Sequence, residues 1–396
     1  MLRQENPVRV RPPKDLEEWR QHFPELAGVG DVELASIFNL DSINVHPMNW
    51  AQLAEAIYRR RRDGFDGFVV AHGTDTMAFT ASAVAFALGE HLSFPVVFTG
   101  AQTTAQVLYG DARTNLARAM AVALQPIPEV VICFADRVFR ATRTHKRAEL
   151  SFDAFESPAY PPIAHITEFI QVQHELVRKP PNQGHDIELR ATFATGILHI
   201  VQVPGLEPDL FVRTLPSGHL CSTCGWPASH GAHYCASCGR ALGPAAAATR
   251  HSQPATDSPP ELRGIVIQTP GAGNVSTVEP YSFLPLIARA VRGGIPVLIV
   301  GQFPAQRATL SQYTPATAPI ELGAIWAGDM TMPAAVVKFR WALARVDAEL
   351  AEGLIRADQR MERVRQIVQT PVVGELDEGT VKEAVMPPAG VGATTE

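Results

Sequence analysis

The chain has 396 residues, which at roughly 100–200 residues per domain accommodates two packed units and an addition. Hydrophobic residues at 46% against charged residues at 19% mark a globular chain and exclude general disorder. The formal net charge of −6 argues against nucleic acid as a partner, since a phosphate backbone selects basic faces.

Residues 1–13 are polar and charged, without the apolar core of a secretion signal. No later apolar run reaches the ~18 residues that a membrane-spanning helix needs. The expectation is a soluble, cytoplasmic protein with no membrane partner. The basic run Arg59-Arg60-Arg61-Arg62 stands before Asp63-Gly64 and reads as a solvated helix end, where cations complement the helix dipole. From there, apolar runs of strand length alternate with stretches in which apolar residues recur every three or four positions. Strands are predicted at 67–71, 95–99 and 130–134, and helices at 76–88 and 112–124. Continuous apolar strands separated by helices imply a mainly parallel, doubly wound sheet that binds ligands at the carboxyl ends of its strands. Cys133, inside Val130-Val131-Ile132-Cys133-Phe134, reads as a buried strand residue.

A polar, glycine-containing stretch at 182–188 closes the first unit. The second, smaller unit repeats the alternation, with strands predicted at 196–203, 264–268 and 296–300 and helices at 281–292 and 333–350. The division is an N-terminal domain at 1–184, a C-terminal α/β domain at 185–376, an inserted module at 219–242, a flexible linker at 243–261 and a tail at 377–396.

The segment Ala71-His72-Gly73-Thr74-Asp75-Thr76-Met77 falls where a strand ends and a helix begins. Hydroxyls and a carboxylate there meet unpaired backbone N–H groups, so the turn can hold a polar ligand and orient a nucleophile. Thr74, Asp75 and Thr76 are also good helix caps, and capping alone would explain the heptapeptide. The rest of the chain widens the choice. Asp41-Ser42-Ile43-Asn44, Asp66-Gly67 leading into the heptapeptide, Pro95-Val96-Val97-Phe98-Thr99-Gly100-Ala101-Gln102 and Asp111-Ala112-Arg113-Thr114-Asn115-Leu116 occur in that order. Arg143-Thr144-His145-Lys146, Phe152-Asp153-Ala154-Phe155-Glu156-Ser157-Pro158, Gly271-Ala272-Gly273-Asn274 and Gly328-Asp329-Met330-Thr331 follow them. Together these motifs resemble the bacterial-type L-asparaginase and glutaminase family, in particular its cytosolic branch, over most of the chain outside the insertion.

The resemblance implies a two-domain asparaginase-like fold and a set of roles. Thr74, Asp75 and Lys146 would form the family's catalytic Thr-Asp-Lys cluster. Ser42 and Asp75 would hold the substrate's α-carboxylate and α-amino groups, and main-chain N–H groups near Gly73 and Ala101 would stabilise an oxyanion. It also implies a homodimer or homotetramer in which the C-terminal domain of one subunit closes the site of another through Asn274. The implied reaction is hydrolysis of L-asparagine, or alternatively of L-glutamine, to the acid and ammonia, with no catalytic cofactor. One departure is large: the family's first strand ends in a Gly-Gly-Thr-Ile type turn whose threonine forms the acyl-enzyme, with a tyrosine loop after it, and neither occurs here. The expectation is a start placed too far downstream, with a strand of the first sheet missing. Positions that serve an asparagine effector site in some relatives correspond to His145, Gln268 and Phe303, so no such allosteric response is expected.

The insertion carries Cys221-Ser222-Thr223-Cys224-Gly225 and Tyr234-Cys235-Ala236-Ser237-Cys238-Gly239. Two Cys-x-x-Cys knuckles at this spacing resemble a zinc ribbon, with Cys221, Cys224, Cys235 and Cys238 as tetrahedral thiolate ligands of a structural Zn²⁺. Four protein ligands leave no open position for water, so this metal is not expected to act in catalysis. The competing reading is a non-catalytic binding or scaffold protein of the same fold, with the ribbon recruiting a protein partner. The related transamidation subunit that supplies ammonia for aminoacyl-tRNA is set aside because the appended domain expected there is missing.

Overall fold

The computed structural model describes residues 2–5, 8–11, 15–24, 28–179, 186–212, 262–271, 273–303 and 314–377. The chain opens with an antiparallel hairpin of β1 (Leu2–Glu5) and β2 (Val8–Arg11), which stands apart from the two larger sheets. A short helix α1 (Leu16–His22) follows, started by the Asp15 carboxylate accepting from Glu18 N–H at 2.8 Å. Helix α2 (Pro47–Arg60) carries proline at its start, and Asn49 Oδ1 accepts from His46 N–H at 3.1 Å. Arg59 and Arg60 lie in its last turn, where Arg59 pairs with Glu55 and Arg60 with Glu33 and Asp63.

Strand β3 (Phe68–Ala71), helix α3 (Met77–Leu88), strand β4 (Val96–Thr99), helix α4 (Ala112–Val122) and strand β5 (Val130–Phe134) then alternate as the sequence predicts. The three strands are parallel, and β4 and β5 are buried along their whole length. Cys133 is fully buried in β5, and burial pushes its thiol up to about 12.

After β5 the sheet departs from the mainly parallel arrangement expected. Strand β6 (Arg137–Arg140) returns antiparallel through a two-residue turn. Ala135 takes φ 51 in that turn, a left-handed conformation costly for a residue with a Cβ. Side chains of α4 fix it: Asn115 Oδ1 accepts from Ala135 N–H at 3.2 Å, and Arg118 donates to Ala135 O at 2.7 Å. The ribbon of β7 (His145–Lys146) and β8 (Phe155–Glu156) comes next. Strands β9 (Ala164–Ile166) and β10 (Ile170–Val172) complete a mixed six-stranded sheet of order β10-β9-β6-β5-β4-β3, with β3 at its edge. A hairpin needs no crossover helix, so the 3.6-residue periodicity that signals parallel connections is absent from this half.

The C-terminal domain is a four-stranded parallel sheet of β11 (Ile197–Val201), β12 (Gly264–Thr269), β13 (Val297–Gly301) and β14 (Ile325–Trp326). A short helix α5 (Asp209–Val212) follows β11; α6 (Leu284–Arg292) and α7 (Thr314–Glu321) lie between the later strands. Helix α8 (Met332–Ala351) and helix α9 (Arg360–Gln369) complete the domain. No described helix is long and apolar enough to cross a membrane.

One core runs through both domains. Every residue of α3 except Phe79 is buried, because α8 covers the side of α3 turned away from the sheet. Phe86 stacks on Trp341 at 5.7 Å between centroids. Between the two helices runs the connecting chain: Arg190 N–H donates to Ala87 O at 2.9 Å, and Trp341 Nε1 donates to Arg190 O at 3.0 Å. A buried ion pair of Arg143 with Asp329, at 2.6 Å, joins the first domain to the second. Lys338 of α8 pairs with Glu375, both with side chains at 0% exposure, and Lys338 also donates to Thr370 O at 2.7 Å.

Candidate active site

The turn between β3 and α3 is shaped by close approach. A Cβ at Gly73 would lie 2.7 Å from both Cβ and Oγ of Ser42, so only glycine lets the strand pass this near. Ser42 is itself held in a tight turn, where the Asp41 carboxylate accepts from Ile43 N–H at 3.2 Å. Thr76 then ties the two segments together, its hydroxyl donating to Ser42 O at 2.6 Å. His72, just before the turn, has Nδ1 2.7 Å from Gly73 O. Burial draws the His72 imidazole below its ordinary value despite that hydrogen bond, and Nε2 has no partner among the described residues.

Lys146 reaches the same turn from the β7–β8 ribbon. Its ammonium donates to Thr74 Oγ1 at 3.0 Å and to Asp75 Oδ1 at 2.7 Å. The hydroxyl, carboxylate and ammonium that the sequence singled out therefore converge within bonding distance. Thr74 is almost fully buried, whereas the Asp75 side chain is 50% exposed, so the cluster opens to solvent on the carboxylate side. Partial burial pulls the Lys146 ammonium down, but Asp75 and Glu149 outweigh it and hold its pKa above the ordinary lysine value.

Two groups at this site were not foreseen. Gln102 Oε1 accepts the Thr74 hydroxyl proton at 3.1 Å, while Gln102 Nε2 donates to the carbonyls of Ala148, Glu149 and Ser151 at 3.3, 2.8 and 3.3 Å. Glu149 Oε2 accepts from Lys146. Gln102 stands in the sequence only as the end of a family-like motif, and Glu149 lies on an irregular segment where no periodicity marks it. Gln102 is fixed from behind by the buried Asp111, whose carboxylate oxygens accept its N–H at 3.1 and 2.9 Å. Asp111 also accepts from Thr103 N–H at 3.0 Å and from Asn115 at 3.2 Å.

Among the remaining expected residues, Ser42 is buried against Gly73, and Ala101 lies between Gly100 and Gln102 on the loop leaving β4. Asn274 stands apart, exposed on the turn after β12 in the C-terminal domain, beside Gly271. His145 faces Glu156 at 3.1 Å, and burial lowers its imidazole pKa against the pull of that carboxylate. Phe303 is exposed, and Gln268 lies within β12. Cys221, Cys224, Cys235 and Cys238 lie outside the described residues, as do the module at 219–242 and the linker at 243–261. Among the described residues no group of three or more His, Cys, Asp or Glu is placed to hold a metal ion.

At the carboxyl end of the parallel strand β3, Thr74 and Asp75 thus meet Lys146 from the β7–β8 ribbon, on a two-domain α/β frame. Residues 1–178 match the family model described as Asparaginase, N-terminal, and residues 251–352 match the Glutaminase/Asparaginase C-terminal domain. The chain belongs to the asparaginase family. It is 28% identical over 366 residues to a glutamyl-tRNA(Gln) amidotransferase chain of Methanothermobacter thermautotrophicus, covering 90% of this chain and 69% of that protein. To the L-asparaginase of Thermococcus kodakarensis it is 28% identical over 361 residues, covering 89% and 90% of the two chains. The solved structure of the thermostable L-asparaginase from Thermococcus kodakarensis superposes with TM-score 0.69 at 25% identity, over 92% of each chain.

Proposed function

We propose that this chain is an L-asparaginase-type amidohydrolase, converting L-asparagine, or alternatively L-glutamine, to the acid and ammonia. The observation that carries the reading is the contact of Lys146 with both Thr74 and Asp75. In this reading Ser42 and Asp75 hold the substrate's α-carboxylate and α-ammonium. The Thr74 oxygen attacks the side-chain amide carbon, and Lys146 in its neutral form takes the hydroxyl proton. The N–H groups of Gly73 and Ala101 hold the oxyanion; its collapse breaks the C–N bond and returns the proton to the departing ammonia. Water then hydrolyses the Thr74 ester. A second copy of the chain would complete the site through Asn274, in a homodimer or homotetramer. The test is ammonia release from asparagine and glutamine by the full chain, beside Thr74→Val and Lys146→Met. Both variants should fall by at least about 10³-fold in kcat. A Thr74→Val enzyme as fast as the parent would end the reading.

The similarity to a glutamyl-tRNA(Gln) amidotransferase chain supports a second reading, in which the same site releases ammonia for a partner enzyme acting on aminoacyl-tRNA. Ammonia release that appears only after a copurified protein is added back would favour it.

The two Cys-x-x-Cys pairs support a structural zinc in the insertion, and cysteines kept from forming disulfides fit a reducing, cytoplasmic setting. Metal analysis of the purified chain should find about one zinc per chain, lost in Cys221→Ser with Cys238→Ser, while asparagine hydrolysis persists. Full zinc content in the double variant would refute the ligand set. The ribbon is proposed to recruit a protein partner.

A further inference from the structure

Lys146 Nζ has three acceptors around it: Thr74 Oγ1 at 3.0 Å, Asp75 Oδ1 at 2.7 Å and Glu149 Oε2. An ammonium has three N–H groups and no lone pair, so every donor is used. The Thr74 hydroxyl meanwhile gives its one proton to Gln102 Oε1, a neutral amide oxygen that is no base. The arrangement is a resting one, in which nothing can deprotonate Thr74. For Lys146 to do so it must lose a proton, and a neutral amine has two N–H groups and one lone pair. If Asp75 and Glu149 take the two N–H groups, the lone pair points at the third neighbour, Thr74 Oγ1. If either carboxylate is missing, the amine can turn and its lone pair has no fixed direction.

We propose that Glu149 is a positioning residue for the hydrolysis assigned above: its carboxylate completes the cage around Lys146, aiming the neutral amine at Thr74 and setting the pH at which that amine forms. The proposal rests on that reading of the site. The geometry that supports it is a closed ring of contacts. Thr74 binds Gln102, Gln102 Nε2 grips the carbonyls of residues 148, 149 and 151, Glu149 binds Lys146, and Lys146 returns to Thr74. The Glu149 side chain is 73% exposed, and an exposed ion pair alone is held loosely. Here the backbone beneath it is clamped: Arg147 N–H also donates to Ala154 O at 2.8 Å. The other charged groups on this ribbon face one another instead, His145 with Glu156 and Arg147 with Asp153 and Glu156. Asp75, from the β3–α3 turn, and Glu149 are the two carboxylates bonded to Lys146.

Two substitutions separate orientation from charge. Glu149→Gln keeps an acceptor oxygen but removes the charge, so its plateau kcat should stay closer to the parent's than that of Glu149→Ala while the acid limb of kcat/KM moves to lower pH. At a pH on that limb the variant should be about threefold faster, the size expected for a solvent-screened pair. Glu149→Ala removes the acceptor, so its plateau kcat should fall about tenfold or more, with KM little changed. Unshifted acid limbs in both variants, or an unchanged plateau in Glu149→Ala, would overturn the proposal. Melting curves for each variant, close to the parent, show that the fold is kept.

A chain that releases no ammonia at any pH would sink the hydrolase reading and leave this inference open to a direct test. The protein has only five lysines, so the ¹³Cε signal of Lys146 can be assigned by its loss in Lys146→Met. Its titration midpoint should be lower in Glu149→Gln than in the parent. Equal midpoints would reject the role of Glu149 whatever the catalytic outcome.

Discussion

Thr74 is wedged between an amide oxygen that takes its proton and an ammonium that donates to its oxygen, at 3.1 and 3.0 Å. That geometry separates the roles of its atoms. The methyl group touches none of this chemistry, so Thr74→Ser should retain hydrolysis within about tenfold, whereas Thr74→Val should lose it by the 10³-fold argued for a missing nucleophile or proton carrier. Steady-state assay of the two variants checks the pair, and equal losses would show that shape rather than the hydroxyl matters. At this scale the sequence revealed the residue types but only part of their wiring. Thr74, Asp75 and Lys146 could be named because they stand in ordered motifs. Gln102 reaches Thr74 across 28 positions and the Glu149 carbonyl across 47, further than a spacing rule extends, while Glu149 lies three positions from Lys146 but on an irregular segment that no periodicity marks.

Between β3 and α3 the decisive feature is a backbone close approach. Adding a Cβ at Gly73 brings it to 2.7 Å from Ser42 Cβ and Oγ, and Ser42 cannot withdraw because its carbonyl is bound by Thr76. Gly73→Ala should therefore destabilise the fold by about 1–3 kcal/mol, the usual range for overpacking. It should also displace Ser42 and slow hydrolysis. Urea unfolding measures the first effect; a midpoint equal to the parent's would mean that the Asp41–Asn44 turn yields freely. The helices and parallel strands of this half were legible because their burial is periodic or continuous. The β5–β6 hairpin was not, since Ala135 adopts a left-handed conformation without the Gly or Asn that normally announces one. Strand β14 has two residues, too few to carry a pattern.

Two buried charge pairs sit in the apolar core shared by the domains, Arg143 with Asp329 across them and Lys338 with Glu375 within the second. Glu375 is fully buried; burial would raise its carboxyl, yet Lys338 and the N–H of Val373 hold it below its ordinary value. A carboxylate lowered in this way stabilises the folded state above the ordinary carboxylate pKa, and that contribution is lost as pH falls through the lower, folded value. Glu375→Gln leaves Lys338 without its counter-charge and should cost about 3–5 kcal/mol at neutral pH. The gap in melting temperature between parent and variant should narrow in acid; a gap constant with pH would show that the pair is not ionised. None of this was readable beforehand, because Lys338 sits in a helix whose sequence looks like any other amphipathic run, and burial of its charge depends on a segment some forty residues later.

Helix α3 begins one residue after the Asp75-Thr76 step and is wrapped on every side, by the first sheet, by the chain linking the domains and by α8. The turn that carries Thr74 and Asp75 thus hangs from a rod gripped by both halves of the protein. A gene splice that joins the front of this chain to the back of a relative would leave that rod in a mismatched socket. Partners such as Trp341 for Phe86, and Asp329 for Arg143, would have to travel together.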